Sequence, residues 1–465
     1  MDLLHNLGLL HAHRRHTRSA AAKQDMAKRS EQEPERSGQT ATSQEGAAKK
    51  PRLTGEDHDP ELEPKAAGLM YPSSAQDSSA DDDALDSDED GSEENSLQNG
   101  LGDADAVGFN CPDGICLHAD GQQVFVSDGL NHRIVQLDGR DPGFFQRHAG
   151  GSSEGFLDGP DMEALFCCPK GLTVAGSGDL LIADSENHVI RRVNADSGEV
   201  DTFAGCGEEG FLDGPADKAM FACPMGVVCN SKGICFVLDS VNHRIRRVDA
   251  DGNVSTFAGC GTKGYRDGAG TTAMFNHPVG IAVDKEDNIL VGDTSNHLVR
   301  IVSPAGDVKT LAGSRQQGFS DGKARSAKFS LPQGLAVDSS GNVVVADSGN
   351  DCIRKITADG VVSTVAGTRE AGFDDGEKGS FDQPVAVACD RASNVYVVDQ
   401  GNHAVRLIST GPDGLCVVST LSGLGEAVDV NSKDVQESNS HSSNMMVGCT
   451  MEPNTRDYLV FEKGM

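Results

Sequence analysis

Residues 332–367, PQGLAVDSSGNVVVADSGNDCIRKITADGVVSTVAG, contain four short apolar stretches separated by polar turns. Ser340-Gly341-Asn342 separates the first two stretches, and Asp359-Gly360 precedes the last one. Runs of β-branched residues between Gly, Asn and Asp are typical of strands joined by tight turns. The segment therefore predicts an antiparallel meander of four strands.

The same unit occurs six times between Phe109 and Gly423. In each copy a strand ends in Asp, and a turn containing Asn and usually His follows. Successive marker aspartates lie 52 to 56 residues apart. The marker residues are Asp128, Asn131 and His132; Asp184, Asn187 and His188; Asp239, Asn242 and His243; Asp293, Asn296 and His297; Asp347 and Asn350, followed by Asp351; and Asp399, Asn402 and His403.

A second marker, Phe-x-x-Pro, keeps the same register and begins at Phe109, Phe166, Phe221, Phe275, Phe329 and Phe381. One four-stranded sheet is marginal alone, so its apolar face must pack on a neighbouring copy. Repeated meanders of this length close radially and leave only short edges exposed. The sequence therefore predicts an all-β fold, a six-bladed β-propeller of four-stranded antiparallel blades over residues 108–423.

The flanking segments, 1–107 and 424–465, lack this periodicity and are rich in polar and acidic residues. We expect both to be disordered tails, because they cannot bury enough apolar surface to offset the entropy of ordering. The first tail has a basic head and an acidic block from Asp77 to Asp105. The first copy is the most divergent, so ring closure is the part of the fold that the sequence defines least. Six complete copies favour one copy per blade, and a strand borrowed across the closure is the alternative.

The order of Pro-x-Gly, Val-Asp, Gly-Asn, Ala-Asp-Ser, Asn-His, Ile-Arg and Ala-Gly elements in these copies resembles the NHL repeat family. The family name reflects the Asn-His segment, and the resemblance covers all six copies. It implies a six-bladed propeller that serves as a recognition module. In some families such propellers accompany RING and B-box zinc modules, and no such module is visible in these 465 residues.

We expect the marker turns to be structural. An Asp at a strand end can accept hydrogen bonds from turn amides, Asn tolerates left-handed backbone, and His can bond a neighbouring carbonyl. Asp351 replaces the histidine in one copy, and turns on separate blades are too dispersed for one coordination sphere. These residues therefore predict no metal site.

Two further motifs recur in step with the markers. An arginine four residues after the marker Asn is expected to pair with a carboxylate of the same or the next blade. It occurs in every copy but the first, which has Val135, at Arg191, Arg246, Arg300, Arg354 and Arg406. A Gly-aromatic-x-Asp-Gly motif lies in the loops between blades, where Phe156, Phe211, Tyr265, Phe319 and Phe373 are expected to hold each loop against a blade.

Antiparallel order places the marker turns and the loops between blades on one face of the propeller, called the loop face below. Loops on a rigid scaffold often carry recognition residues, so this face is the candidate interaction surface. Its charge is uneven, which favours an extended protein partner of mixed charge. The candidate residues are Asp158, Glu163, Arg266, Arg315, Lys323, Arg325 and Arg369.

Enzymatic six-bladed propellers usually hold a metal ion near the start of the innermost strands. The residues that follow the prolines do not form a convergent ligand set, and no Ser-His-Asp elbow, P-loop or paired-carboxylate motif is present. We therefore expect no catalytic residue, no cofactor and no bound metal, and a metal-dependent lyase or lactonase is the least favoured alternative. The residues after the prolines are Asp113, Lys170, Met225, Val279, Gln333 and Val385.

The composition limits the class of partner. The formal net charge is -31 and the pI is about 4.7, so the surface repels phosphate backbones. A non-enzymatic, monomeric scaffold that binds a protein or peptide is the main hypothesis. The alternative is an RNA-binding protein or a ubiquitin-ligase accessory protein that acts with a partner in trans.

The cysteines and the first tail bear on the compartment. Thirteen cysteines without a C-x-x-C pair predict reduced thiols in an intracellular protein, with some disulfides as the alternative. Lys49-Lys50-Pro51-Arg52 resembles a nuclear localisation signal, and the acid-poor first 24 residues leave an organellar transit peptide open. No apolar run is long enough to cross a membrane, so we expect a nuclear or cytoplasmic protein with no membrane partner.

Overall fold

A computed structural model describes residues 108–151, 153–411 and 414–428 of the chain. The predicted basic head, the acidic block and the targeting segments lie outside the described residues. So does the second predicted tail from residue 429 onward.

The described residues form six antiparallel sheets, each built from consecutive strands of one repeat. The predicted six-bladed β-propeller is confirmed. Its strands are, in blade 1, β1 Pro112–Leu117, β2 Gln123–Asp128, β3 Arg133–Asp138 and β4 Asp141–Ala149; in blade 2, β5 Pro169–Val174, β6 Leu180–Asp184, β7 Val189–Val193 and β8 Val200–Ala204; in blade 3, β9 Gly214–Pro215, β10 Pro224–Cys229, β11 Cys235–Asp239, β12 Arg244–Val248 and β13 Asn253–Ala258; in blade 4, β14 Gly280–Val283, β15 Ile289–Asp293, β16 Leu298–Val302 and β17 Val308–Ala312; in blade 5, β18 Gly322–Lys323, β19 Pro332–Val337, β20 Val343–Asp347, β21 Cys352–Ile356 and β22 Val361–Ala366; and in blade 6, β23 Gly376–Glu377, β24 Pro384–Cys389, β25 Val395–Asp399, β26 Ala404–Thr410 and β27 Cys416–Ser422.

Three of these strands, β9, β18 and β23, are two-residue segments of the loop that enters a blade. Each pairs with the outermost strand of that blade, as Gly214 does with Val254. Single bridges from Gly159 and Gly268 do the same in blades 2 and 4. The Asp-Gly of each Gly-aromatic-x-Asp-Gly motif therefore fixes the incoming loop to the outer rim.

The innermost strands of neighbouring blades contact one another around a central channel, and β24 of blade 6 contacts β1 of blade 1. Among the described residues no blade takes a strand from another, so each blade corresponds to one repeat. The Gly of the Pro-x-Gly element permits this close approach, because a Cβ added at Gly334 would lie 2.5 Å from the Cα of Ala386 in the next blade.

The core consists of six apolar clusters, one between each pair of adjacent blades, including blades 6 and 1. Side chains alternate along each strand, so Val124 and Val126 pack towards blade 6 while Phe125 packs towards blade 2. All six Phe-x-x-Pro phenylalanines are fully buried. Each sheet therefore depends on both neighbouring sheets to bury its apolar faces.

Short 3-10 helices form the marker turn in every blade except the third. They cover Gly129–Asn131, Ser185–Asn187, Thr294–Asn296, Ser348–Asn350 and Gln400–Asn402, and another, Gly270–Thr272, lies in the loop before blade 4. The residue after each marker Asn has left-handed backbone, with φ of 56° at His297 and 51° at Asp351. Left-handed backbone was expected at the Asn, and the structure places it one residue later.

A buried arginine joins the marker turn to the loop that enters each of blades 2 to 6. In blade 2, Arg191 donates to Asp184 at 3.0 Å, to Asp158 at 2.7 Å and to two loop carbonyls. Its guanidinium carbon lies 5.1 Å from the ring centroids of both Phe156 and Phe166. The expected carboxylate pairing therefore involves two aspartates of the same repeat, and the loop aromatic stacks on the arginine. The same arrangement surrounds Arg246, Arg300, Arg354 and Arg406.

Blade 1 forms the same buried ion pair with an arginine from a different position of the strand. Val135 occupies the repeat position of the arginine, but Arg133, two residues earlier on β3, fills the space and is 1% exposed. Its Nε donates to Asp128 at 2.9 Å and its Nη2 donates to the carbonyl of Gly108 at 2.8 Å. The repeat that looked most degraded thus retains the buried charge pair.

The ring is also fastened by a segment beyond Gly423, where the sequence analysis placed the end of the propeller. The amide of Val428 donates to the carbonyl of Phe109 at 2.9 Å. The Asn131 side chain donates to the carbonyl of Val428 at 2.9 Å and to Asp128 at 2.8 Å. Residues 424–428 therefore take, at blade 1, the place that an incoming loop occupies in the other blades.

One pair of cysteines differs from the expectation of reduced thiols. Cys229 and Cys235 lie opposite each other on β10 and β11 and form a disulfide, with their Cα atoms 4.0 Å apart. The antiparallel register brings the two residues together at the ends of a tight turn. For this pair the prediction is wrong.

We expect Arg191→Met to lower the free energy of unfolding by about 3–5 kcal/mol, because it leaves the buried Asp184 carboxylate without its cation. Arg192→Met is the matched control. Arg192 is 36% exposed and pairs with a half-exposed Asp201, so its loss should cost less than about 1 kcal/mol. Urea denaturation followed by circular dichroism measures both, and equal losses would contradict a special role for the buried pair.

We expect Asn131→Ala to loosen residues 424–428 specifically, because it removes the bond to the Val428 carbonyl. Asn296→Ala removes the equivalent side chain in blade 4, which bonds the Gly264 carbonyl and Asp293. Hydrogen exchange of the Val428 amide should accelerate at least about tenfold in the first variant and stay unchanged in the second. Unchanged exchange in both variants would show that the segment is held by other contacts.

Candidate functional site

Each marker aspartate is the centre of a hydrogen-bond network on the loop face. Asp293 accepts the amide of Asn276 at 2.8 Å through Oδ1. Its Oδ2 accepts from Asn296 at 2.9 Å and from Arg300 at 2.5 Å. The Asn296 side chain also donates to the carbonyl of Gly264 in the incoming loop, at 2.8 Å. These polar groups are occupied inside the blade and do not point to a ligand.

The marker histidines connect neighbouring blades. His297 Nδ1 accepts the backbone amide of Leu331, the residue before the proline of the next blade, at 3.1 Å. Asp351, which replaces the histidine in blade 5, accepts the amide of Gln383 in the same way at 2.9 Å. The predicted bond from the ring to a carbonyl is wrong, because the available group is a backbone N–H that has no partner in a strand.

The histidine bonds extend around the whole ring. His403 of blade 6 accepts from the amide of Cys111 in blade 1 at 3.0 Å, which adds to closure. Burial lowers the pKa of His243 to about 4 and lowers the pKa of His297 and His403. These three imidazoles are therefore neutral at pH 7, as an Nδ1 acceptor requires. Corresponding bonds join His132 to Cys168, His188 to Cys223 and His243 to His277.

The acidic candidates of the loop face differ in what they do. Asp158 bonds both Arg191 and Thr202, so its carboxylate holds the incoming loop to blade 2. Asp213, Asp267, Asp321 and Asp375 hold the same position in the later blades. Glu163, in contrast, is exposed in the loop between blades 1 and 2. Asp158 is therefore paired with a buried arginine, and Glu163 is not.

The basic candidates are all exposed. Lys323 belongs to β18 and pairs with Val361 on the outer strand of blade 5, which places it towards the rim. Arg325 follows it in the same loop. The backbone of Arg266 is fixed because its carbonyl accepts from Arg300 at 3.1 Å.

Arg315 and Arg369 have a defined geometry. The guanidinium of Arg315 lies 4.4 Å from the Tyr265 ring centroid, and that of Arg369 lies 4.3 Å from the Phe319 centroid. Each loop aromatic thus stacks between a buried arginine and an exposed one, with Arg354 4.4 Å from Phe319. Both arginines were predicted to belong to the loop face, but their stacking on aromatic rings was not predicted.

Both exposed arginines have left-handed backbone, with φ of 67° at Arg315 and 71° at Arg369. Blades 2 and 3 have Gly207 and Gly261 at this position, also with positive φ. A non-glycine residue in this region is uncommon and carries a conformational cost. The stacked guanidinium is therefore held in place at the expense of backbone strain.

The mouth of the channel lies on the same face, at the start of the innermost strands. Lys170 Nζ donates to Asp113 at 2.6 Å, and Gln400 donates to the other oxygen of Asp113 at 2.8 Å. Met225, Val279, Gln333 and Val385 line the rest of this level. The residues after the prolines therefore form one ion pair, across blades 1 and 2, in a largely apolar ring.

The residues after the prolines were weighed as possible ligands from the sequence, whereas the residues before the prolines were missed. Five of those six positions face the marker histidine of the preceding blade, the sixth, Gln383, faces Asp351, and three of the six are cysteines. They are Cys111, Cys168, Cys223, His277, Leu331 and Gln383. Potential metal-ligand atoms of His132, Cys167 and Cys168 all lie within 4.8 Å of one another. The adjacent cysteines at 167 and 168 were the available signal.

The two adjacent thiols differ in their surroundings. A side-chain hydrogen bond from Cys167, with His132 and Lys170 nearby, lowers the pKa of Cys168. That same hydrogen bond, burial and the carboxylate of Glu154 raise the pKa of Cys167, whose Sγ lies 4.0 Å from Glu154 Oε2. Cys168 is therefore the thiol that ionises first.

No helix among the described residues is long and apolar enough to cross a membrane.

Comparison with known proteins agrees with this fold. The chain is 27% identical over 326 residues to NHL repeat-containing protein 2 from Homo sapiens, covering 62% of this chain and 44% of that protein. It is 26% identical over 306 residues to Protein SUPPRESSOR OF QUENCHING 1, chloroplastic, from Arabidopsis thaliana, covering 50% and 29%. The chain thus spans less than half the length of these two curated relatives.

A solved structure has the same architecture. A structural genomics protein of unknown function from Bacteroides thetaiotaomicron matches with a TM-score of 0.50 and 18% identity, over 67% of this chain and 70% of that one. A sequence model of the NHL repeat matches residues 166–192, 275–302 and 329–356, in blades 2, 4 and 5. The markers, the six blades and these matches agree, and the chain is a six-bladed β-propeller that contains NHL repeats.

Proposed function

We propose that the protein is a recognition module, without enzymatic activity, that binds an acidic segment of a protein or peptide through the loop face of blades 4 and 5. The stacking of Arg315 on Tyr265 and of Arg369 on Phe319 is the observation that carries this proposal. From the sequence we expected an extended partner of mixed charge. The two stacked arginines favour an acidic segment of such a partner at blades 4 and 5.

The stacked arginines are suited to carboxylates. A planar guanidinium presents its N–H groups at its edge, and that edge stays available when the face lies on an aromatic ring. Stacking reduces the rotamer freedom that a carboxylate contact would otherwise remove. Arg315 and Arg369 are exposed and belong to adjacent blades, so one extended segment can reach both.

The rest of the loop face supports recognition more than chemistry. The marker aspartates, asparagines and buried arginines bond one another and the loop backbone, which leaves the loop side chains for contacts with a partner. A rigid scaffold with variable loops is the usual arrangement of a binding surface. Family members commonly have this role.

Charge distribution also favours an acidic peptide over nucleic acid. The chain as a whole carries a formal charge of -31, which repels a long phosphate backbone. A small basic area on an acidic protein suits a short complementary segment, because local contacts set the orientation while the overall field discourages other polyanions.

The test is selection of peptides from a random display library on the full-length protein. We expect enrichment of peptides rich in Asp and Glu, whose synthetic versions bind in fluorescence anisotropy. The double variant Arg315→Gly, Arg369→Gly should weaken binding about tenfold, since it removes two charged contacts of roughly 0.7 kcal/mol each. Glycine accepts left-handed backbone, so these substitutions should leave the fold intact.

The matched control is Lys232→Ala with Lys285→Ala, which removes the same charge from turns on the opposite face of blades 3 and 4. It should leave affinity within about twofold. Equal weakening by both double variants would reduce the effect to net charge and contradict the proposed surface. Failure to enrich acidic peptides, together with arginine-dependent binding of a single-stranded RNA pool, would favour nucleic-acid binding.

A further inference from the structure

Three of the residues before the channel prolines are cysteines, but only Cys168 has a second thiol beside it. The residues before Cys111 and Cys223 are Asn and Ala, whereas the residue before Cys168 is Cys167. Cys167 and Cys168 are both partly exposed at the loop face. Cys223 occupies the equivalent position in the next blade and provides an internal reference.

The charges around the pair separate the two thiols. The cation Lys170 lies on the side of Cys168, and the Glu154 carboxylate lies 4.0 Å from the Cys167 sulfur. A thiolate is favoured beside a cation and disfavoured beside a carboxylate. Geometry therefore assigns the nucleophile to position 168 and a protonated thiol to position 167.

Other charges near the pair are compensated within the fold. Asp113 bonds Lys170 and Gln400, and Asp184 bonds Arg191 and Asn187. Cys111 in the adjacent blade 1 interacts with Cys168 through charge and has a raised pKa, mainly because it is partly buried. It is therefore a neutral neighbour of a Cys168 thiolate at pH 7.

A metal site is the other chemistry that two thiols and an imidazole suggest, and the hydrogen bonds oppose it. His132 Nδ1 accepts the backbone amide of Cys168 at 3.1 Å. A neutral imidazole that accepts at Nδ1 carries its proton on Nε2, so neither nitrogen has a lone pair for a metal ion. The same bond occurs in blade 4, between His297 and Leu331, where no thiol is present.

We propose that Cys168 is a peroxide-reactive thiolate and that Cys167 resolves its oxidised form. The Cys168 thiolate attacks one oxygen of a hydroperoxide, the O–O bond breaks, and Cys168 sulfenic acid and an alkoxide or hydroxide form. The Cys167 sulfur then attacks the Cys168 sulfur, an S–S bond forms, and water leaves with the Cys167 proton. Sulfur loses two electrons and the peroxide gains them.

The product is reversible because neighbouring residues form a strained disulfide. Adjacent Cα atoms lie about 3.8 Å apart, which is shorter than the span usual for disulfides. Strained and exposed disulfides are readily reduced by thiols. The pair therefore cycles between dithiol and disulfide, and it does so at the mouth of the channel on the loop face.

The first test is the rate of iodoacetamide alkylation of full-length, reduced protein at pH 6, read for each cysteine by mass spectrometry. We expect Cys168 to react about ten times faster than Cys223, since a larger thiolate fraction outweighs lower intrinsic nucleophilicity. Lys170→Gln should move the midpoint of the Cys168 rate to higher pH, and Lys170→Arg should restore it. A Cys168 rate equal to that of Cys223 would overturn the proposal.

The second test is one equivalent of hydrogen peroxide in the presence of dimedone, which traps sulfenic acid. Wild-type protein should yield mainly a 167–168 disulfide, whereas Cys167→Ser should yield a dimedone adduct on Cys168. Cys223→Ser, the matched control, should behave as wild type. Circular dichroism verifies that each variant is folded.

Either of two results in this second test would contradict the inference. One is a Cys168 adduct that is no larger in Cys167→Ser than in wild type. The other is stoichiometric zinc in the purified protein that protects both thiols from alkylation, which would assign the pair to a metal site. Neither result depends on peptide binding, so the proposed recognition function is judged separately.

Discussion

The buried pair of an aspartate and an arginine is the interaction on which the loop face depends. In blade 5, Asp347 bonds Arg354 at 2.6 Å, and neither side chain is exposed. Burial raises the pKa of Asp347 to about 6, so the carboxylate is ionised at pH 7 and the pair is charged. Because both charges are desolvated, each needs its full set of partners, and those partners are the backbone groups of the turn and the incoming loop. The ion pair thereby specifies loop position.

Much of the architecture could be predicted from the sequence, because its causes are local and repeated. Two markers in one register fixed the number of blades, and turn residues fixed the strand boundaries within them. The network around each marker Asp was partly predictable, since short polar side chains at strand ends bond nearby amides. What periodicity could not show was that one arginine bonds two aspartates 26 residues apart, as Arg191 bonds Asp158 and Asp184.

The remaining features depend on contacts between repeats, which a single unit does not contain. Arg133 occupies the arginine site although it lies two residues before the repeat position of the arginine. Alignment of the copies shows Val135 at that position and does not reveal that blade 1 keeps a buried arginine. The marker histidine could not be predicted to act as an acceptor, because the sequence does not show which backbone N–H of the next blade lacks a partner in a strand. The pairing of Cys167 with Cys168 and His132 belongs to a single boundary between blades, where no repeat pattern could point to it.

Each blade begins and ends within one repeat, and this has a consequence for how such a ring can change. Where a sheet is completed by a strand from the opposite end of a chain, adding or removing a unit breaks that sheet. Here the duplication or deletion of a repeat would leave every remaining four-stranded meander complete. Only the packing of adjacent blades around the axis would need to change. The same modularity means that new termini cut into any loop between blades would leave all six sheets continuous, so the order of blades along the gene is separable from their order in space.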